Sequence, residues 1–152
     1  MTSDVGHVCR SRVWSASITF FRIISINMTP IELARRFYEL NNSVPEGNSS
    51  AAELEALLAP DFVFTGPLMR VEGAAVFMSM LRQFLPFHES VTVRQQIASG
   101  DTVCSITQLK LKTPAGGTLT VDVSEWLKVE GNLIQSLTIY YDPRGFVQAF
   151  PM

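Results

Sequence analysis

The chain has 152 residues, enough for one domain at about 100–200 residues each and enough to bury a core without disulfide or metal staples. Its 12 Lys and Arg against 14 Asp and Glu give a net charge of −2 and no basic stripe, which argues against nucleic acid or an anionic membrane surface and for a small, apolar ligand. No run of about 18 apolar residues is present, and Cys9 and Cys104 fit neither a zinc spacing nor a redox pair, so a reducing, cytoplasmic setting is expected.

Residues 1–27 differ in character from the rest of the chain. They are rich in Ser and Arg, hold a single acid, Asp4, and sustain no helix or strand period. Arg22 interrupts the one apolar run, which argues against a secretory signal, whereas the Arg-rich, acid-poor composition is shared with organelle transit peptides. The segment reads as a leader without regular structure or lying upstream of the true start, with organelle import as the alternative. Met28 then opens a self-sufficient helix start, with Thr29 as N-cap, Pro30 at the first helical position and Glu32 three residues after the cap. The domain is accordingly placed at residues 28–152.

Ile31, Ala34, Phe37 and Tyr38 lie at amphipathic spacing in that first helix, which ends before the turn-rich 43–48 stretch. A second helix is expected from about Ser50 to Leu58, closed by Pro60, and a short strand from Phe62 to Pro67. Phe77, Met80, Leu81 and Phe84 form the apolar stripe of a third helix. His88 comes next, at a helix-to-strand junction, and reads as an exposed turn residue. Strands are expected over residues 88–99 and 102–113, then a long hairpin from Thr118 to Asp142 and a short tail. There are no internal repeats.

The hairpin carries the most information. In its first arm Leu119, Val121, Val123, Glu125, Leu127 and Val129 share one face, so a single carboxylate stands in an apolar row. Trp126 falls on the other face with Thr120. In the second arm strict alternation groups Leu133, Gln135, Leu137, Ile139 and Tyr141, leaving Ile134, Thr138 and Tyr140 opposite.

Helices first and strands afterwards make an α+β protein. This order, with the motifs ALLAPDFVFTGP and WLKVEGNLIQSLTIYYDPRGF, resembles the nuclear transport factor 2-like superfamily and, within it, the SnoaL-like and ketosteroid-isomerase-like proteins. The resemblance implies a cone-shaped, curved antiparallel sheet of cystatin-like type with three helices packed on its concave face around a pocket. It also implies site positions. The strand aspartate that serves as base in ketosteroid isomerases falls on Gly66, before Pro67. The helix-1 tyrosine falls on Phe37, which keeps the ring and loses the hydroxyl. The second strand acid falls on Glu125. The water-activating aspartate of limonene-epoxide hydrolases, which the YYDPRGF tail also resembles, falls on Ile139.

One acid therefore remains. Glu125 is the candidate catalytic residue, and Phe37, Phe64, Met69, Phe77, Leu81, Val123, Leu137 and Tyr141 are the candidate pocket. The competing readings are a rim Glu125 paired with Arg94 or Lys110, and apolar stripes that simply fill a core. A pocket of about 300 Å³ or more around Glu125 would favour the ligand-binding reading. With only His7 and His88 in the chain, no His-based metal cluster can be built, and no cofactor is called for. The functional expectation is a small-molecule-binding domain, of isomerase, cyclase or lyase type on an apolar carbonyl compound, or else a non-catalytic binding or dimerisation module. Trp126 and Tyr140 on the outer face point to a homodimer.

Overall fold

The structure is a computed structural model that describes residues 27–46 and 48–151. The leader reading, save for Asn27, lies outside the described residues. Helix α1 spans Pro30–Ser43 and starts where the sequence asks it to: Thr29 accepts from the Glu32 N–H while the Glu32 carboxylate accepts from the Thr29 N–H, a complete capping box. Its inner face buries Leu33, Ala34, Phe37, Tyr38 and Leu40. A 3-10 turn, Val44–Glu46, leads to α2 (Asn48–Ala56), and α3 spans Ala74–Phe84.

Six strands form one open mixed sheet in the order β2-β1-β6-β5-β4-β3. They are β1 (Leu58–Thr65), β2 (Arg70–Glu72), β3 (His88–Ser99), β4 (Thr102–Lys112), β5 (Thr118–Glu130) and β6 (Leu133–Tyr140). The meander from β3 to β6 is antiparallel, but β1 runs parallel to β6, so the sheet is not the all-antiparallel one expected. Helix α1 packs on β3 and β4, α3 on β1 and β2, and α2 between the two helices. The core between them includes Leu33, Phe37, Leu54, Phe62, Phe77, Leu127 and Ile134.

Three local expectations need correction. The chain leaves α2 at Ala56 and enters β1 at Leu58, so Pro60 lies inside a strand instead of ending a helix. The strand tolerates it because β1 and β6 share no register partners between Leu58 and Val63, and the missing N–H falls in that break. In β6 the alternation changes phase: Lys128 pairs Ser136 but Val129 pairs Ile134, a bulge at Gln135. Ile134 is thereby turned into the core, where strict alternation places Leu133 and Gln135. Finally, the tail is a fourth helix, α4 (Pro143–Ala149), with Asp142 as N-cap accepting from the Arg144 N–H and Pro143 in the first turn.

The capping box gives a direct check on the domain's first element. Thr29→Ala removes the side-chain acceptor at an exposed helix start and is expected to lower stability by about 1 kcal/mol, read by urea denaturation; no loss would mean that packing alone sets the start of α1.

Candidate functional site

Strand β5 alternates cleanly, with Val121, Val123, Glu125, Leu127 and Val129 buried and the residues between them turned outward. Its register partners on β4 repeat the pattern, so Ser105 lies beside Glu125 and Thr107 beside Val123 on the helix-covered face. Glu125 is only 8% exposed, against an expectation of solvent for an ionised side chain. It is not a rim residue: Lys110 pairs with Glu89 at 2.5 Å, and none of the described ion pairs includes Glu125.

Both carboxyl oxygens are satisfied by hydroxyls. Thr107 Oγ1 donates to Oε1 at 2.5 Å, and Tyr38 Oη donates to Oε2 at 3.2 Å across the gap from α1. These bonds favour the anion, but burial outweighs them and pushes the Glu125 carboxyl up from 4.5 to about 7. Burial and the neighbouring carboxylate push Tyr38 well above the usual phenol range, so it stays protonated and acts as a donor.

A cavity of about 180 Å³ opens onto this group. That falls short of the roughly 300 Å³ that would by itself favour the ligand-binding reading, so the volume leaves room for a compact ligand only. Phe37, Phe64, Met69, Phe77, Leu81, Val123, Leu137 and Tyr141 all line it, with Glu125. Met78, unlike Met69 and Met80, does not line the cavity and is fully buried in the core. The titratable groups on the wall are Tyr38, His88, Glu125 and Tyr141, and Glu125 is the only acid or permanently charged side chain among the lining residues. Gly66 borders the cavity without a side chain, and a Cβ there would come within 3.3 Å of Ile139.

Of the lining and supporting residues that the sequence does not assign, four bear most on the site. Tyr38 lies on the buried stripe of α1, one position beyond Phe37, and supplies the hydroxyl that Phe37 lacks. Thr107 could have been found from the inward parity of β4. His88 is not an exposed turn: it is the first residue of β3, half-buried on the cavity wall, and burial lowers its pKa so that the imidazole is neutral. Phe146 of α4 also lines the cavity, ringed by Phe84, Tyr141 and Phe150 with centroids 4.8–6.2 Å apart. The Asp-Pro start of α4 is a readable signal for that element. Among the described residues no group of His, Cys, Asp or Glu is arranged to hold a metal ion, and no helix is long and apolar enough to cross a membrane.

A family model for the SnoaL-like domain matches residues 34–137, from the middle of α1 to the middle of β6. The chain belongs to the SnoaL-like domain family. Solved structures repeat the fold of this SnoaL-like domain. An NTF2-like protein of unknown function from Cytophaga hutchinsonii is 24% identical, with a TM-score of 0.67 over 81% of this chain and 98% of the other. A putative ketosteroid isomerase from Kribbella flavida is 23% identical, with a TM-score of 0.62 over 72% and 75%. A putative SnoaL-like polyketide cyclase from a Jannaschia species is 14% identical, with a TM-score of 0.69 over 82% and 93%. At these identities the likeness carries the fold alone. No curated protein matches the sequence.

The carboxyl makes the stability of this SnoaL-like domain depend on pH. Because the folded chain holds the Glu125 proton more tightly than the unfolded one, its contribution is present in full below about pH 4.5 and is lost as pH rises through about 7. His88, lowered by burial, works in the opposite direction but is common to any Glu125 variant. Stability relative to Glu125→Gln is therefore expected to fall by up to about 3 kcal/mol between about pH 5 and 8. Denaturant titrations of both proteins at the two pH values measure it, and parallel pH profiles would show that the carboxyl ionises as freely as in the unfolded chain.

Proposed function

We propose that this domain binds a compact apolar molecule carrying a carbonyl group, and that Glu125 acts on it as acid or hydrogen-bond donor in an isomerase-, cyclase- or lyase-type reaction. The single observation that carries this reading is the Glu125 carboxyl itself, buried in an apolar cavity, hydrogen-bonded to Tyr38 and Thr107, and raised to about 7. Such a group has both protonation states populated at neutral pH, so it can give a proton to a carbonyl oxygen or take one from an adjacent carbon. Ketosteroid isomerases use a carboxyl in this way, kept neutral by an apolar site so that it can donate to a carbonyl oxygen. Gly66 supplies no second base, so one carboxyl would have to serve both steps. The names of the Kribbella and Jannaschia structures, an isomerase and a cyclase, agree with that class of chemistry.

The ligand reading is tested with a matched pair of probes. α-Tetralone is expected to bind roughly tenfold more tightly than tetralin, which has the same ring system without the oxygen, the ratio that one hydrogen bond of about 1.4 kcal/mol supplies. Calorimetry should find that Glu125→Gln, still a donor, keeps the preference and that Glu125→Leu loses it. An equal preference in wild type and Glu125→Leu would remove Glu125 from the binding site.

A second reading, a dimerisation module of the same fold, is favoured by the sheet's other face. Trp126 is 47% exposed and Tyr140 60%, and the register sets them beside Ile97 and Ile106, also exposed, in two adjacent rows. Contiguous exposed aromatics and isoleucines suit a twofold contact with a second copy. Sedimentation velocity at micromolar concentration is expected to show a dimer that Trp126→Lys converts to monomer; a monomeric wild type would exclude the contact.

A further inference from the structure

Among the described residues one buried side-chain nitrogen or oxygen has no hydrogen-bond partner, and it is Nε2 of His88. Such atoms are few in folded proteins, and each asks for an explanation. The backbone of His88 is fixed: its N–H donates to the Leu85 carbonyl at 3.2 Å, and the residue pairs in register with Leu111 of β4. Its side chain lies on the cavity wall, where Leu85, Val91, Leu109 and Leu111 carry no side-chain polar atom that could meet it. The Tyr38 hydroxyl is committed to Glu125, and Asn41, the one amide side chain on the wall, makes no bond to Nε2. Burial keeps the imidazole neutral, so the ring holds one N–H and one bare nitrogen, and Nε2 is unmet in either tautomer.

We propose that His88 is a second polar anchor of the cavity, bonding through Nε2 to a hydroxyl of the ligand at a point remote from Glu125. A hydroxyl both gives and accepts, so it meets Nε2 whichever tautomer is present, whereas a carbonyl meets only the N–H form. Rotation of the ring about its Cβ–Cγ bond, a broad torsion, turns the buried nitrogen toward the cavity when the hydroxyl arrives. The sheet sets the spacing of the two anchors. Leu111, which pairs with His88, stands four positions beyond Thr107, which bonds Glu125, on the same strand β4, a run of about 13 Å. One compact ring system reaches both anchors only if it presents its carbonyl and its hydroxyl on opposite sides. The ligand is thereby narrowed from an apolar carbonyl compound to a hydroxylated one, such as a hydroxyaryl ketone.

The inference rests on the reading of the cavity as a ligand site, but not on what Glu125 does there. Calorimetry with 6-hydroxytetralin, which is tetralin with a phenolic hydroxyl and no ketone, measures His88 apart from the carbonyl. Wild type is expected to bind this phenol roughly tenfold more tightly than tetralin, the ratio that one hydrogen bond supplies. The preference is expected to persist in Glu125→Leu and to disappear in His88→Phe. Nitrogen-15 NMR of histidine-labelled protein gives a second readout that needs no change at His88, since His7→Gln leaves it the sole histidine. Its Nε2 signal is expected to shift when the phenol is added and to stay where it is with tetralin; if His88→Phe does not fold, this spectrum decides. The proposal is overturned if the two probes bind equally, if the preference survives in His88→Phe or vanishes in Glu125→Leu, or if the phenol leaves the Nε2 signal unmoved. A preference for the phenol alongside none for α-tetralone would remove the carbonyl reading and leave His88 as the anchor.

Discussion

A carboxyl withdrawn from water must be hydrogen-bonded, neutral or both, and that constraint organises the centre of this domain. Glu125 is held on the sheet by β5, but neither of the groups that satisfy it is on β5. Thr107 comes from the neighbouring strand and Tyr38 from the helix laid over the sheet. The hydroxyls and the desolvation act in opposite senses on the same proton. Desolvation wins by a margin that leaves the group near neutrality, at about 7, and a group in that range can change state at little cost. Were the hydroxyls removed, the acid would be a buried neutral group with nowhere to put its proton; were the cavity wet, it would be an ordinary carboxylate.

The fold serves that arrangement by keeping α1 in register with the sheet. The capping box fixes where α1 begins, and the Asn42 side chain both donates to the Val91 carbonyl and accepts from the Val91 N–H, at 2.8 and 2.7 Å, pinning the other end of the helix to the edge strand β3. Between those anchors the buried stripe delivers Phe37 to the apolar wall and Tyr38 to the carboxyl. Shifting the helix by one residue would exchange the two rings, so the hydroxyl is specified by helix phase as much as by residue type.

Much of this is legible in the sequence because strands and helices announce themselves by period. The cap at Thr29, the stripe of α3 and the β5 alternation that turns Glu125 inward all survive in the structure. The failures have identifiable causes. Pro60 reads as a stop because local rules cannot see that the ladder has a gap where its N–H is missing. The Gln135 bulge is invisible to a strict period of two, which puts Ile134 on the wrong face. Tyr38 escapes for a different reason: its partner, Glu125, is 87 residues away, and only the packing of α1 on the sheet brings them together. His88 likewise gains its meaning from its place on the cavity wall, which a single chain read in order does not supply.

The central claim is that the buried carboxyl and its tyrosine form the polar end of a binding cavity for a carbonyl compound. A crystal structure with α-tetralone bound tests it most directly. The account predicts the rings among Phe64, Phe77 and Val123, with the ketone oxygen within hydrogen-bond distance of Glu125 or the Tyr38 hydroxyl. A ring system seated in the cavity with its oxygen turned toward Phe146 and away from Glu125, or bound outside the cavity altogether, would contradict it.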